Sequence, residues 1–391
     1  MSSNDSLLSY MVTIRRALHQ FPELAFQEKK TAQRIIEELK QLQIPCEYSG
    51  PGSGVIAKIP AILAGAPTIA LRAEMDALPG EENTHLPFSS QEKGKMHACG
   101  HDAHIAMLLG AARILHENPA ASNVLLIFQP AEESGGGARN IIKTGCLDDA
   151  CAIFAGHVTH HFRVGEIMIG HGIITAQSDR FEIIIQGKGG HGARPHEATD
   201  AVIIAASLVN TIQTLVSRET DPLHPSVITI GELQAGSAPN VIAEHAVLRG
   251  SIRSTQKQTR EHIHKGLKRM TSAMAVLHDA KIELTVVPGY PPVVNSDREV
   301  ELAIQAATRV VGKTGVQKME YPSMGSEDFS FYLEKLPGCY VRFGARREEQ
   351  QFIPLHSPMF DIDESMMLTG ALYFAQLAYD AANFYRHDAV A

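Results

Sequence analysis

Near residue 178 the rhythm of the chain changes, and that change narrows the possible folds more than any other feature. Before it, short apolar runs such as TIALRAEMD (68–76), NVLLIFQPAEE (123–133) and CAIFAGHV (151–158) are separated by helical patterns such as 101–116. Strands alternating with helices predict an α/β domain with a largely parallel central sheet. After it, RFEIIIQG reads as a strand, ATDAVIIAASLVNTIQTLVS as a helix, and PSVITIGELQ and EHAVLRGSIRS as strands. The amphipathic helix QTREHIHKGLKRMTSAMAVLH and the strand KIELTVVPG complete a β-α-β-β-α-β order, the ferredoxin-like pattern. The Pro-rich PGYPPVVN ends it, and residues from about 295 onward again mix helices with short strands. A chain of 391 residues is also long for one hydrophobic core. The expected plan is one domain inserted into another. Residues 1–177 and 291–391 form an α/β domain with a mostly parallel central sheet, and 178–290 form an α+β ferredoxin-like insert.

Charge and cysteine usage exclude several function classes. The formal net charge is -8 and no basic block occurs, which argues against nucleic acid or an anionic membrane as partner. No apolar run reaches the roughly 18 residues of a membrane span. The five cysteines, odd in number and irregularly spaced, do not suggest a disulfide framework. MSSNDSLLSYMVTIRRALHQ lacks the positive-then-apolar order of a secretion signal. The expectation is a cytoplasmic protein.

In open α/β sheets, ligands bind beyond the carboxyl ends of the strands. Here those ends carry metal-type side chains. Asp76 follows TIALRAEM, Cys99 and His101 precede the helix at 101, Glu132 and Glu133 follow NVLLIFQPA, and His157 follows CAIFAG. His356 lies in FIPLHSP. Hydrolysis of an unactivated amide needs a strong nucleophile at neutral pH, which a divalent metal supplies by lowering the pKa of water toward ~7. Imidazole, carboxylate and thiolate suit Zn, Mn, Co or Ni. Cys99, His101, Glu133, His157 and His356 exceed the roughly three protein ligands of one catalytic ion. Two ions ~3.5–4 Å apart would use them all, with Cys99 as the bridge. Glu132, beside a ligand, is placed as general base and then acid. The other carboxylate near this set, Glu74, and the histidine three residues past His101, His104, receive no role.

In chain order, RAEMDALPG, MHACGHDAH, FQPAEESGGGA, AGHV, GKGGHGARPHEATDA, GSAPNVIAEHAVLRGSIR, MGSEDFSFY and LHSP are similar to motifs of the metal-dependent aminoacylases and amidohydrolases. That family includes hippurate hydrolases, N-acetyl-amino-acid deacetylases and plant auxin-conjugate hydrolases. The resemblance implies a two-metal catalytic domain with an inserted lid that often dimerises. It implies Asp76 as the aspartate that orients a metal-bound histidine. It implies His191 as the group that stabilises the oxyanion, often in a partner subunit's site, and Asn240 with Arg253 as the clamp on a substrate α-carboxylate. An arginine suits that clamp because its planar fork matches a carboxylate. GSEDF (325–329) is expected in the pocket wall. In the wider peptidase superfamily a metal-binding histidine stands where this chain has Glu74, and the bridging aspartate is replaced here by Cys99. Both changes mark the amidohydrolase branch.

The expected activity is metal-dependent hydrolysis of N-acyl-L-amino acids, by a metal-activated water with Glu132 as base. Two divalent ions per chain and a homodimer or higher assembly through the lid go with it. A dipeptidase or carboxypeptidase on the same scaffold is the alternative. A non-catalytic binding protein would have lost ligands or base, and a structural zinc site would close four Cys or His around one ion.

Overall fold

The computed structural model describes residues 3–386. In chain order, helices α1 (Ser3–Gln20) and α2 (Lys29–Gln41) precede strands β1 (Cys46–Glu47), β2 (Val55–Ile59) and β3 (Thr68–Glu74). Helix α3 (His101–Glu117), β4 (Asn123–Gln129), α4 (Ala138–Lys143), β5 (Ala150–Arg163) and β6 (Ile167–Ile169) follow. Then come β7 (Gln177–Gln186), α5 (Ala201–Thr214), β8 (Ser226–Ala235), β9 (His245–Ser254), α6 (Lys257–His278) and β10 (Lys281–Pro288). The chain ends through α7 (Asp297–Gly315), β11 (Val316–Lys318), β12 (Gly338–Arg346) and α8 (Met366–Arg386).

Two compact units result. The first takes residues up to Ile174, Val294–Tyr321 and Glu327 onward. Its sheet has the order β1-β2-β4-β3-β5-β12-β6-β11. The four inner strands β4, β3, β5 and β12 run parallel. They are apolar along their length because helices cover a parallel sheet on both faces; β3 and β4 are buried at every residue after the first. Helix α3 is nearly as apolar all round, with 13 of its 17 residues buried, because it is packed by α1 and α8 as well as the sheet.

The second unit takes Thr175–Val293 and Pro322–Ser326. Its antiparallel sheet has the order β8-β9-β7-β10, the strand arrangement of a ferredoxin-like fold. Along β7 every second residue is buried, the mark of a sheet with helices on one face only. Phe181, Ile183 and Ile185 of that face pack with Ile204, Leu208 and Ile212 of α5 and Ile263 and Leu267 of α6. The stretch 201–219 is the one described helix long and apolar enough to cross a membrane, and its apolar stripe lies in this core.

The division falls slightly outside the expected 178–290. The Val293 amide bonds Thr175 Oγ1 at 3.2 Å, so the entering and leaving strands are already joined there. The segment Pro322–Ser326 groups with the insert because Ser323 and Gly325 carbonyls accept from the Ala176 amide, at 2.9 and 3.0 Å. Sequence periodicity carries no sign of that non-local pairing.

Candidate metal centre

Helix α3 begins at His101, directly after a tight turn at Gly100. That residue has φ 87, and a Cβ on it would lie 2.5 Å from Val158 Cγ2. Glycine there is what allows Cys99 and His101 to reach the strand ends. The His101 ring is then aimed by its Nδ1, 2.8 Å from the Asp76 carbonyl oxygen and 3.3 Å from Asp76 Oδ1. With Nδ1–H donating, Nε2 is the nitrogen left to face the centre. That atom is buried and has no hydrogen-bond partner. His157, on β5, is fixed likewise: Nδ1 lies 2.8 Å from the Val158 carbonyl, and Nε2 faces Cys99 Sγ at 3.2 Å. Orientation of one imidazole nitrogen so that the other meets a metal is the usual outer-shell arrangement.

Glu132 and Glu133 sit on the loop 130–137 between β4 and α4. The loop turns sharply at Ala131, which has φ 55. Its glycine run makes a close turn: a Cβ on Gly137 would lie 1.7 Å from the Pro130 carbonyl oxygen. The Glu133 amide donates to Asp76 Oδ2 at 2.9 Å, and Glu133 Oε1 lies 3.2 Å from His356 Nε2. His356, also left-handed at φ 67, is placed by its amide bond to the Ala98 carbonyl at 2.8 Å.

The donor atoms of Cys99, His101 and His157 lie within 4.8 Å of one another, and so do those of Cys99, Glu133 and His356. Cys99 belongs to both triads. A third group joins His101, Glu132 and Glu133. Five residues expected from sequence to act as ligands, and the expected base, thus converge on one spot, buried at Cys99, His101, Glu132 and His157, half-buried at Glu133 and open to solvent at His356. Thiolate, two imidazoles aimed through Nε2, a third imidazole and a carboxylate make a donor set that fits a pair of borderline divalent ions.

Electrostatics agree with that fit. Burial lowers the His101 pKa, but Asp76, Glu74 and Glu133 outweigh it and hold it at about 10. Burial and then Glu327, Glu133 and Asp328 push the Glu132 carboxyl well up. Burial followed by Glu133 and Glu132 pushes the Cys99 thiol well up too. His157 is pushed well down by burial and by His104 and Arg342. The centre is rich in negative charge. A cation held by these residues would relieve that excess and favour the Cys99 thiolate.

Several neighbours escaped the sequence reading. Glu74 lies between Arg72, which donates to it through Nη1, and His104 Nδ1 at 2.8 Å. His104 Nε2 accepts the Val158 amide at 3.0 Å, so its two nitrogens join α3 to β3 and to β5. Arg72 is fully buried and also meets Glu327 and Asp328 at 2.9 and 2.8 Å. An arginine inside the apolar run TIALRAEM, and the carboxylate pair in GSEDF, were the available signals.

In the second unit, His191 pairs with Val241 in a two-stranded ribbon, and the Gly192 amide donates to the Asn240 carbonyl at 2.9 Å. The two side chains stand exposed on neighbouring ends of that ribbon. Arg253, on β9, is half-buried and donates to Ser326 Oγ at 2.9 Å.

Residues 70–380 match the model of peptidase family M20/M25/M40. The N-acetylcysteine deacetylase of Bacillus subtilis (strain 168) is 38% identical over 371 residues, 94% of this chain and 96% of that one. Thermostable carboxypeptidase 1 of Saccharolobus solfataricus is 38% identical over 381 residues, 96% of each. The crystal structure of Bacillus subtilis YXEP, described as a dinuclear metal binding peptidase from the M20 family, superposes with a TM-score of 0.82. It is 34% identical and covers 97% of this chain and 99% of its own. Fold, site and these likenesses define a metal-dependent hydrolase of amide bonds. Within that class the chain belongs to peptidase family M20/M25/M40.

Proposed function

We propose that the protein hydrolyses the amide bond of N-acyl-L-amino acids, releasing a carboxylate and a free amino acid. The observation that carries this reading is the sharing of Cys99 between two donor triads, with Glu132 buried beside them. Cys99, His101, Glu133, His157 and His356 would hold two divalent ions, of Zn, Mn, Co or Ni. Ions held there supply a water of lowered pKa and polarise the amide carbonyl. Glu132 takes the proton of the attacking water and returns it to the leaving nitrogen. Asp76 keeps His101 and the Glu133 amide in place through its carbonyl and its Oδ2. His191 stabilises the oxyanion. Asn240 and Arg253 hold the substrate α-carboxylate, for which Arg253 offers the fork of donors.

The N-acetylcysteine deacetylase relative supports an acyl-amino-acid substrate. The carboxypeptidase relative favours the second reading, peptide cleavage on the same centre. The ribbon-bearing insert is read as the lid and the surface for a homodimer. All five cysteines are free, which agrees with a cytoplasmic setting. The decisive assay is a panel of hippurate, N-acetyl-amino acids and dipeptides after loading with each metal. Turnover of the acyl-amino acids at least about tenfold above the dipeptides is expected; the reverse order selects the peptidase reading, and no turnover of either refutes both.

A further inference from the structure

The loop 130–137 carries both Glu132 and Glu133, yet most of what holds it lies elsewhere in the chain. Asp328 is fully buried and takes no part in the metal-type triads that contain Cys99. Its Oδ2 accepts the Ala138 amide at 3.0 Å, where the loop enters α4. Both its oxygens lie 2.9 Å from Gln129 Nε2, where β4 ends and the loop begins. One carboxylate therefore joins the two ends of the eight-residue loop.

That carboxylate is itself held. Arg72 Nη2 donates to Asp328 Oδ1 at 2.8 Å, and Arg72 Nε to Gln129 Oε1 at 2.9 Å. The neighbouring Glu327 is occupied separately, by Arg72 Nη2 at 2.9 Å, the Phe329 amide at 3.1 Å and the Tyr340 hydroxyl at 2.8 Å. Within the loop, the Ala131 amide donates to Glu28 Oε1 at 2.8 Å. Acceptor atoms of Asp328, Glu327 and Glu132 lie within 4.8 Å of one another, so the clamp is next to the base. Gln129 Nε2, the Ala138 amide and Arg72 Nη2 all point donors at residue 328. Only a group with two acceptor oxygens and no donor satisfies them together. An amide would turn an N–H toward one of them.

We propose that Asp328, set by Arg72 and Gln129, is a positioning residue that fixes the Glu132-bearing loop for catalysis. The inference rests on the reading of Glu132 as the proton carrier. Misplacing a reacting group by about 1 Å can cost ~100-fold in rate.

The test is Asp328→Asn in the full chain, with two independent readouts. Hydrogen exchange of peptides covering 130–138 should quicken by about tenfold while peptides of β7 and β9 stay unchanged. For whichever amide the wild type cleaves, kcat should fall ~10–100-fold with KM within about threefold. A role in stability alone would lower the folded fraction and leave kcat per folded molecule unaltered. Unchanged loop exchange overturns the clamp, and unchanged kcat overturns the positioning role. If the variant does not fold, Gln129→Met removes the joining donor without altering any charge, and the same pattern, at about threefold or more in exchange, is required. A wild type inactive on every amide in the panel sinks the proposed function. The exchange result still decides the clamp.

Discussion

Replacing Asp179 by Asn tests the electrostatics of the inserted unit without touching the metal centre. Asp179 lies on β7 with its side chain 1% exposed. Arg260 Nε and His264 Nε2 meet its Oδ2 at 2.8 and 2.7 Å, Arg260 Nη2 meets Oδ1, and the Gly289 amide donates to Oδ1 at 3.1 Å. Burial alone would raise its pKa, but His264 and Arg260 outweigh it and bring the carboxyl down to about 2, against 3.8 for a free side chain. A carboxyl held below its unfolded value stabilises the fold above that unfolded value, and the gain is lost as pH falls through the folded one. The gap corresponds to ~2.5 kcal/mol at neutral pH, a large share of the roughly 5–15 kcal/mol of a domain. The chain has no tryptophan, so urea unfolding is followed by circular dichroism, at pH 7, 5, 3 and 2. The wild type should exceed Asp179→Asn by ~2.5 kcal/mol at pH 5–7, and the difference should shrink to under about 1 kcal/mol at pH 2. A difference that is flat with pH, or that grows in acid, refutes the reasoning.

Glu132→Gln should lower kcat by ~100- to 10,000-fold with the metal content unchanged; turnover near wild type removes Glu132 from the mechanism. Cys99→Ala should leave fewer than two ions per chain by elemental analysis, and full retention of both rejects the bridging role. Gly137→Ala forces a methyl onto the Pro130 carbonyl and should cost ~1–3 kcal/mol in a thermal melt; a melt like that of the wild type means the loop relaxes freely. Arg72→Met leaves Glu74, Glu327 and Asp328 buried without their guanidinium, at a cost of ~3–5 kcal/mol in urea, and a loss under about 1 kcal/mol contradicts the buried network.

How far the molecule could be read from its letters depended on whether the signal was local. Alternation of strands and helices, and the β-α-β-β-α-β run, are periodicities that any window of ten residues reveals, and the parallel sheet and the antiparallel insert follow them. The convergence of Glu133 and His157 with Cys99 and His101 was legible because the first two follow apolar strands, whose ends meet along one edge of a parallel sheet, and the last two crowd the mouth of a helix. Glu74 was not legible. Its meaning lies in Arg72 and His104, and although each is unusual in its own motif, nothing local shows that both meet Glu74. Asp328 was less so. The residues it joins are 199 and 190 positions away, and no pattern in GSEDF points to Gln129 or Ala138. Pro322–Ser326 likewise joins the insert through backbone bonds that leave no trace in hydropathy.

His101 and His157 are steered by oxygens of the main chain, at Asp76 and Val158. No codon change deletes a carbonyl. Side chains around the centre can therefore drift, and with them the choice of substrate, while the two Nε2 atoms keep their aim. Evolution, or an engineer, can rebuild the walls of such a pocket without first re-solving how its imidazoles point.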